Sequence, residues 1–575
     1  MRSSIFLPVL SLALGCSAAP HESHQSIARQ ASTGNASIPG ITPNQAPAVP
    51  PNQNDCHFQY YTQAIDHFGQ HNGTFQQKYN IITDYFKPGG PIFFYQGEEQ
   101  IYLDCVVSPT FRSVLASETH NTKDTSIAVS WAQQTNGIAV VLEHRYFGES
   151  APFGATDPTK QFEEYSYLTL DNVMADGVAF LDYLKKNVTG ATDSKVIVFS
   201  GSYGGFLSTV YRQNHPEAIW GAIASAPPAN AITNNSKAQD YYNWNIWLNN
   251  VYQDRSAEAS SKIKNAVSVL EQRITSGTDL TSLKSELGLC NVPTTTDFPL
   301  IQVWIQNILN YAAEFNYATL RPGRASAALP LEVVVNITQT QTDPIQILNE
   351  TLWMWFEPLG YYPCIDYKTN NALWPSVALI QQGVFQLVTC KYFPESSISD
   401  WPHGTIFGPA ANPGAIYESS CDALLNVSTP TMAELQTKYK YTPEDLQNST
   451  RIIWSLGQYD PTSAVSPNQP GINAPIMTTD RNVSRILYTS NMAHREDLFA
   501  PDPSDRDTVI QVCLSGTFAL QLYSMCLSWA AANVICGDRR ERSNSSQSRD
   551  GWDGMICDRT STILQPPKIR EGSGA

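Results

Sequence analysis

Short apolar runs, each closed by a glycine, a proline or a polar turn, recur along the first half of the chain. "PIFFYQG" at 91–97, "GIAVVLEHRYFG" at 137–148, Val196 to Phe199, and "WGAIASA" at 220–226 read as buried strands. Between them "TLDNVMADGVAFLDYLKK" at 169–186 carries apolar residues at helical spacing, and "FLSTVYRQ" from Phe206 begins a second helical pattern. Strands that alternate with helices predict a mostly parallel sheet covered on both faces. After Pro228 the texture changes to long helical patterns such as "SSKIKNAVSVLEQRI" and "LIQVWIQNILNYAAEF", followed by an irregular aromatic- and cysteine-containing stretch over 350–440. Strand texture returns with "RIIWSLGQYDP" and "RILYTSNMAH". The pattern predicts one α/β domain interrupted by a helical insertion, with no internal repeat.

The ends read differently. Arg2, the apolar "IFLPVLSLALG" and the small residues "CSA" before Ala19 have the form of a secretory signal over 1–18. A lipoprotein signal ending at Cys16 is the alternative, and Ala13 suits it poorly. Residues 19–52, rich in Pro, Ser and Asn, read as a flexible arm or propeptide. The expected domain plan is a first sheet portion at 53–230, a helical cap at 231–444, a second sheet portion at 445–537 and a tail at 538–575. One run, Val509 to Cys536, is uncharged and long enough to cross a bilayer. Its polar residues Gln511, Ser515, Gln521, Ser524 and Ser528 form a stripe, which favours a mostly buried helix over a membrane span.

Composition changes the picture in three places. With 36 basic against 52 acidic residues, nucleic acid is an unsuitable partner. Ten Asn-x-Ser/Thr sequons, at Asn35, Asn72, Asn187, Asn234, Asn336, Asn349, Asn426, Asn448, Asn482 and Asn544, predict glycosylation along the secretory route. Of eleven cysteines Cys16 leaves with the signal, and the remaining ten allow up to five disulfides of undetermined connectivity. They show no metal-ligand spacing, so neither a metal nor a cofactor is expected.

Candidate chemistry centres on "SGSYGGFLS". A serine in a tight turn between a buried strand and a helix has its hydroxyl pushed above the sheet as a nucleophile. Ser202 fits, with Gly204 two residues on, although Ser200 stands where the pattern expects glycine. A serine needs a base and an orienting acid, in the order Ser, acid, His for this arrangement. His215 lies too near the turn and His403 lies inside the insertion. His494 and Asp460 each follow a buried strand, at the edge where open α/β sheets bind ligands. Asp497 is the reserve acid.

Taken together, "GPIFFYQGEE", "EHRYFGES", "SGSYGGFLS", "GAIASAPP", "GQYDP" and "AHREDL" resemble the family of prolyl carboxypeptidase, dipeptidyl peptidase II and the fungal prolyl endopeptidases. The resemblance covers about residues 55–230 and 445–535. It implies an α/β-hydrolase fold with an inserted helical cap, and a secreted or lysosomal serine peptidase acting on peptides or proteins. An esterase or lipase of the same fold and an inactive hydrolase-fold binding protein are the alternatives. Exo against endo cleavage and the oligomeric state stay open.

The resemblance also implies roles. The oxyanion hole is expected from the backbone of Tyr203 with Gly97 or Glu98, and Arg145 is expected to pair with Glu149. Family members usually have "GNEG" where this chain has Gly97, Glu98, Glu99 and Gln100. They usually have a second histidine at Arg495, and tryptophans at Thr462 and Leu498. Glu99, Phe206, Thr462 and Leu498 are therefore the expected substrate-binding residues. A roomier pocket, a weakened proline preference and acid-pH activity tuned by Glu98 and Glu99 are the corresponding expectations. Trp353, Trp355 and Phe385 are candidates to refill the space.

Overall fold

A computed structural model of the protein describes residues 58–98, 127–154, 161–228, 242–318, 327–356, 364–368, 376–393, 404–408, 430–465 and 484–499. The Val509 to Cys536 run, the amino-terminal segments and Glu99 lie outside them.

The described strands form one eight-stranded sheet: β1 (Gln59–Ala64), β2 (Thr74–Ile82), β3 (Ile92–Gln96), β4 (Ile138–Leu142), β5 (Val196–Gly201), β6 (Gly221–Ser225), β7 (Ile452–Gly457) and β8 (Arg485–Thr489). Their order is β1-β2-β4-β3-β5-β6-β7-β8. The pairings of β1 with β2 and of β2 with β4 are antiparallel, and every pairing from β4 to β8 is parallel. This is the α/β-hydrolase arrangement, with β5 at the centre.

Alternation along the strands supplies both cores. Ile92 and Phe94, Ile138 and Val140, Val196 and Val198, and Ile452 and Trp454 point to one face. There they pack against α2 (Leu170–Asn187), α3 (Tyr203–Asn214) and α10 (Ser376–Tyr392). Phe93, Tyr95, Ile197, Phe199, Ile223 and Ile453 point to the other face, against α1 (Ile127–Thr135), Met492 and Leu498. Burial on both faces is why these strands read as unbroken apolar runs.

The expected insertion does two things. Helices α4 (Tyr242–Arg255), α5 (Ala257–Thr275), α6 (Leu280–Leu287), α7 (Phe298–Glu314), α8 (Pro330–Thr340) and α9 (Pro344–Phe356) enclose a separate core built on Leu270, Ile305, Leu309 and Leu352. A disulfide, Cys290–Cys364, closes part of this region. From Val384 onward the chain joins the sheet instead. Phe385, Phe393, Tyr441 and Leu446 belong to the core beneath α3, which places α10, α11 (Met432–Tyr439) and α12 (Pro443–Gln447) with the sheet.

Of the sequon asparagines, Asn72, Asn187 and Asn448 are exposed, and Asn336 and Asn349 half-buried. Asn35, Asn234, Asn426, Asn482 and Asn544 fall outside the described residues.

Candidate active site

Strand β5 runs directly into α3, and Ser202 is the residue between them. Its backbone is strained, with φ 56° and ψ −127°, a conformation that non-glycine residues hold only when their surroundings enforce it. The enforcement is visible. Ser202 N–H donates to Ser225 O (2.9 Å), and its carbonyl accepts from Phe206 N–H (3.0 Å). A Cβ on Gly204 would sit 2.0 Å from Ser200 Oγ. The serine at the position expected to be glycine thus fills the turn, and Gly204 provides the space for it. Ser202 is fully buried, and its Oγ makes no hydrogen bond among the described residues.

Strands β6, β7 and β8 run parallel to β5, so all their carboxyl ends reach one edge. Three residues past β7, Asp460 is fixed by its neighbours: Thr462 N–H donates to its Oδ1 (2.9 Å), and its carbonyl accepts from Ser463 N–H (3.0 Å). His494, five residues past β8, meets the other carboxylate oxygen, with Nδ1 to Asp460 Oδ2 at 2.8 Å. A carboxylate only accepts, so Nδ1 carries the proton and Nε2 is left as the basic nitrogen. Both side chains are fully buried.

The helical region holds this loop. His494 N–H donates to Glu314 O (2.8 Å) at the end of α7, and Tyr317 Oη–H donates to His494 O (2.6 Å). The Phe315 ring meets the imidazole edge to face at 6.3 Å. Next in sequence, Arg495 lays its stem on β5, for a Cβ on Gly201 would fall 2.1 Å from Arg495 Cδ. Ser202 and His494 are thereby each one residue from the same contact. Asp497, the reserve acid, is turned to β6, where its Oδ1 accepts from Ser225 Oγ (2.6 Å). Burial pushes its carboxyl above the usual range.

Several expectations need correction. Gly97 N–H is already committed to Leu142 O (2.8 Å), so it is no oxyanion donor, and of the expected pair only Glu98 remains. Tyr203 occupies the first helical position, whose N–H has no intrahelical acceptor. The Glu98 side chain pairs with Arg495, not with solvent or a substrate terminus. Arg145 does not pair with Glu149. It forks onto Asp176 (Nε–Oδ2 2.7 Å, Nη2–Oδ1 2.5 Å) and donates to the carbonyls of Ala64, Ile65 and Tyr167. Glu149 pairs with Lys78 (2.6 Å). Phe206 is spent on core packing against Phe393 and Tyr441. Leu498 lies in the core on the opposite face, and Thr462 serves Asp460 through its backbone. Trp353 bonds Leu287 O within the helical core, whereas Phe385 does reach the site region, edge-on to Tyr203 at 5.9 Å.

Sequence reading missed His144. Its Nδ1–H donates to Arg145 O (2.6 Å), so Nε2 accepts from Tyr203 Oη–H (3.2 Å) and anchors the residue after Ser202. Burial pushes this imidazole down to about 4 from its ordinary 6.5. Beside it, burial pushes the Glu143 carboxyl up to about 7 from 4.5.

The two act on stability in opposite senses. Glu143 keeps a proton that the unfolded chain releases; its contribution is present below pH 4.5 and is lost as pH rises to about 7. His144 refuses a proton that the unfolded chain accepts; its contribution is present above pH 6.5 and is lost as pH falls to about 4. Over the shared window they offset. Glu143→Gln should therefore expose the histidine, so that between neutral pH and pH 4 the variant loses about 3 kcal/mol more unfolding free energy than the parent. Urea midpoints across that range measure it, and parallel curves would show that the pair is not offset.

The serine carboxypeptidase S28 family model matches residues 63–512. The lysosomal Pro-X carboxypeptidases of Bos taurus and Homo sapiens are each 27% identical to this chain. They align over 78% and 73% of it, and over 83% and 80% of their own lengths. Serine protease vicPa of Bipolaris victoriae is 30% identical over 32% of each chain. A hydrolase sheet with a serine elbow at its centre, matched over most of its length by that model, belongs to the S28 family of serine peptidases.

Proposed function

We propose that Ser202, Asp460 and His494 are the catalytic triad of this peptidase, that it cleaves on the carboxyl side of proline or a similarly compact residue, and that it works along the secretory or lysosomal route in acid. The 2.8 Å His494–Asp460 bond, at the same sheet edge as a strained Ser202, carries this reading. Ser202 Oγ attacks the scissile carbonyl carbon while its proton passes to His494 Nε2. The oxyanion that forms is held by the N–H groups of Tyr203 and Glu98. On collapse the C–N bond breaks, and His494 returns the proton to the leaving amine. Water, deprotonated by His494, then attacks the acyl carbon of the Ser202 ester; the C–Oγ bond breaks, His494 returns the proton to Oγ, and the carboxylate product leaves. Asp460 keeps the imidazole in the required tautomer throughout. The hydrogen bond from Ser202 Oγ to His494 Nε2 is made when substrate binds, since catalytic hydrogen bonds are often long or poorly aligned in empty sites.

Support for proline comes from the Pro-X carboxypeptidase relatives by name, and from the aromatic faces of Tyr203 and Phe385 beside the elbow. Support for the acidic route comes from the same lysosomal relatives. The expected weakening of proline preference needs both Thr462 and Leu498 as pocket walls, and with Leu498 packed in the core it is withdrawn. The test is turnover of matched peptides with Pro, Ala, Leu or Phe before the scissile bond, alongside long-acyl esters, at acidic pH. Proline peptides should be cleaved fastest. Ester turnover without peptide cleavage would instead identify an esterase.

A further inference from the structure

Glu98 is a fully buried carboxylate at the elbow. A Cβ on Gly204, in the first turn of α3, would lie 3.4 Å from Glu98 Cβ. The same residue offers the backbone N–H assigned above to the oxyanion hole. A negative side chain there opposes the negative charge that develops on the substrate oxygen, and in a water-free site the opposition is strong. One of its oxygens, Oε1, accepts from Tyr95 Oη–H (3.1 Å) and from Arg495 Nη1. Oε2 has no hydrogen-bond partner among the described residues. Arg495 arrives from the loop that carries His494, 397 residues away, and is itself 5% exposed. The neighbouring acid Asp497 bonds Ser225 (2.6 Å) and is turned to β6.

We propose that Arg495 is a positioning residue of the peptidase that acts through Glu98. Its guanidinium cancels the carboxylate's charge beside the oxyanion, while its stem, laid over Gly201, ties the histidine loop to the nucleophile's strand. The inference rests on the reading of Ser202 as nucleophile and Glu98 N–H as oxyanion donor. A purely mechanical tether and a charge-cancelling one differ in a measurable way. If Arg495 only ties the loop, deleting Glu98 as well as Arg495 cannot help. If it cancels charge, removing the carboxylate repairs the loss.

The experiment compares Arg495→Met, Arg495→Lys and the double variant Glu98→Gln/Arg495→Met on a proline peptide, with kcat and KM separated. Arg495→Met should lower kcat about 10²- to 10³-fold with little change in KM, the size of losing one oxyanion donor. The double variant should regain about tenfold or more of that kcat, a coupling within the range for residues in direct contact. A double variant no faster than Arg495→Met overturns the proposal. If Arg495→Met does not fold, Arg495→Lys decides: it keeps the cation, and a kcat loss above about a hundredfold in folded protein overturns the idea. Fluorophosphonate labelling of the parent separates this from the underlying reading. An unlabelled Ser202 refutes the triad, whereas a labelled Ser202 with no rescue refutes only the role of Arg495.

Discussion

Ser202→Ala should abolish fluorophosphonate labelling and lower kcat by about 10⁴- to 10⁶-fold, leaving only the rate that binding and the oxyanion donors provide. The expectation rests on geometry that no other serine in the turn shares. Ser202 alone among them has a positive φ, at the junction of β5 and α3. Ser200 Oγ is buried against Gly204 and makes no hydrogen bond among the described residues, so Ser200→Ala removes no hydrogen-bonded group. It should leave labelling intact. Because triad members act as a unit, adding His494→Ala to Ser202→Ala should cost little more. Loss of labelling in Ser200→Ala with retention in Ser202→Ala would move the nucleophile.

The largest effect on stability is expected at Arg145. Its guanidinium is fully buried, forked onto Asp176 and shared among three carbonyls, two at the end of β1 and one just before α2. Arg145→Met leaves the Asp176 carboxylate with His67 Nε2 (2.8 Å) as its remaining ion-pair contact among the described residues, and leaves the carbonyls of Ala64, Ile65 and Tyr167 without this donor. Breaking a buried pair from one side costs about 3–5 kcal/mol. The measurement is the urea midpoint of the purified, folded variant. Adding Asp176→Leu should recover part of the loss, because the uncompensated charge is then gone. A change below about 1 kcal/mol would mean that Arg145 is not what joins β1, β4 and α2.

The sequence exposed the parallel half of the sheet and concealed the rest, for identifiable reasons. Strands β3 to β7 are buried at every position and are mostly apolar. Strands β1 and β2 escaped because their inward positions are polar. Gln63, Gln77, Lys78 and Asn80 are almost fully buried there. Gln63 bonds Gln77 (2.9 Å), and Gln77 bonds Glu143 O (2.8 Å). Such positions defeat any search for alternating apolar residues. Ser202, Asp460 and His494 stand out as candidates in the sequence because each follows a legible strand. The partners of Arg145 and Arg495 were not, since Asp176 lies on a helix face 31 residues on and Glu98 lies 397 residues back. Pairing across such separations follows from topology, which local pattern does not encode. The pocket residues were misassigned for a related reason. In the sequence Leu498 reads as an opening in the pocket, whereas in the fold its side chain is part of the core.

The hydrogen bonds from Glu314 and Tyr317 to His494 bear on how modular this enzyme is. An inserted helical region is ordinarily imagined as an accessory that can be trimmed to leave a smaller working hydrolase. Here the backbone of the proposed base is held on both sides, at N–H and at C=O, by residues 314 and 317 of the inserted region. Excising that region would remove the mould in which the histidine loop is set, even with Ser202, Asp460 and His494 all retained. A minimal catalyst cut from this chain must keep α7 and the turn after it. Grafting the insertion of a relative onto this sheet should succeed only where the donor segment ends with a carbonyl and a hydroxyl in those two places.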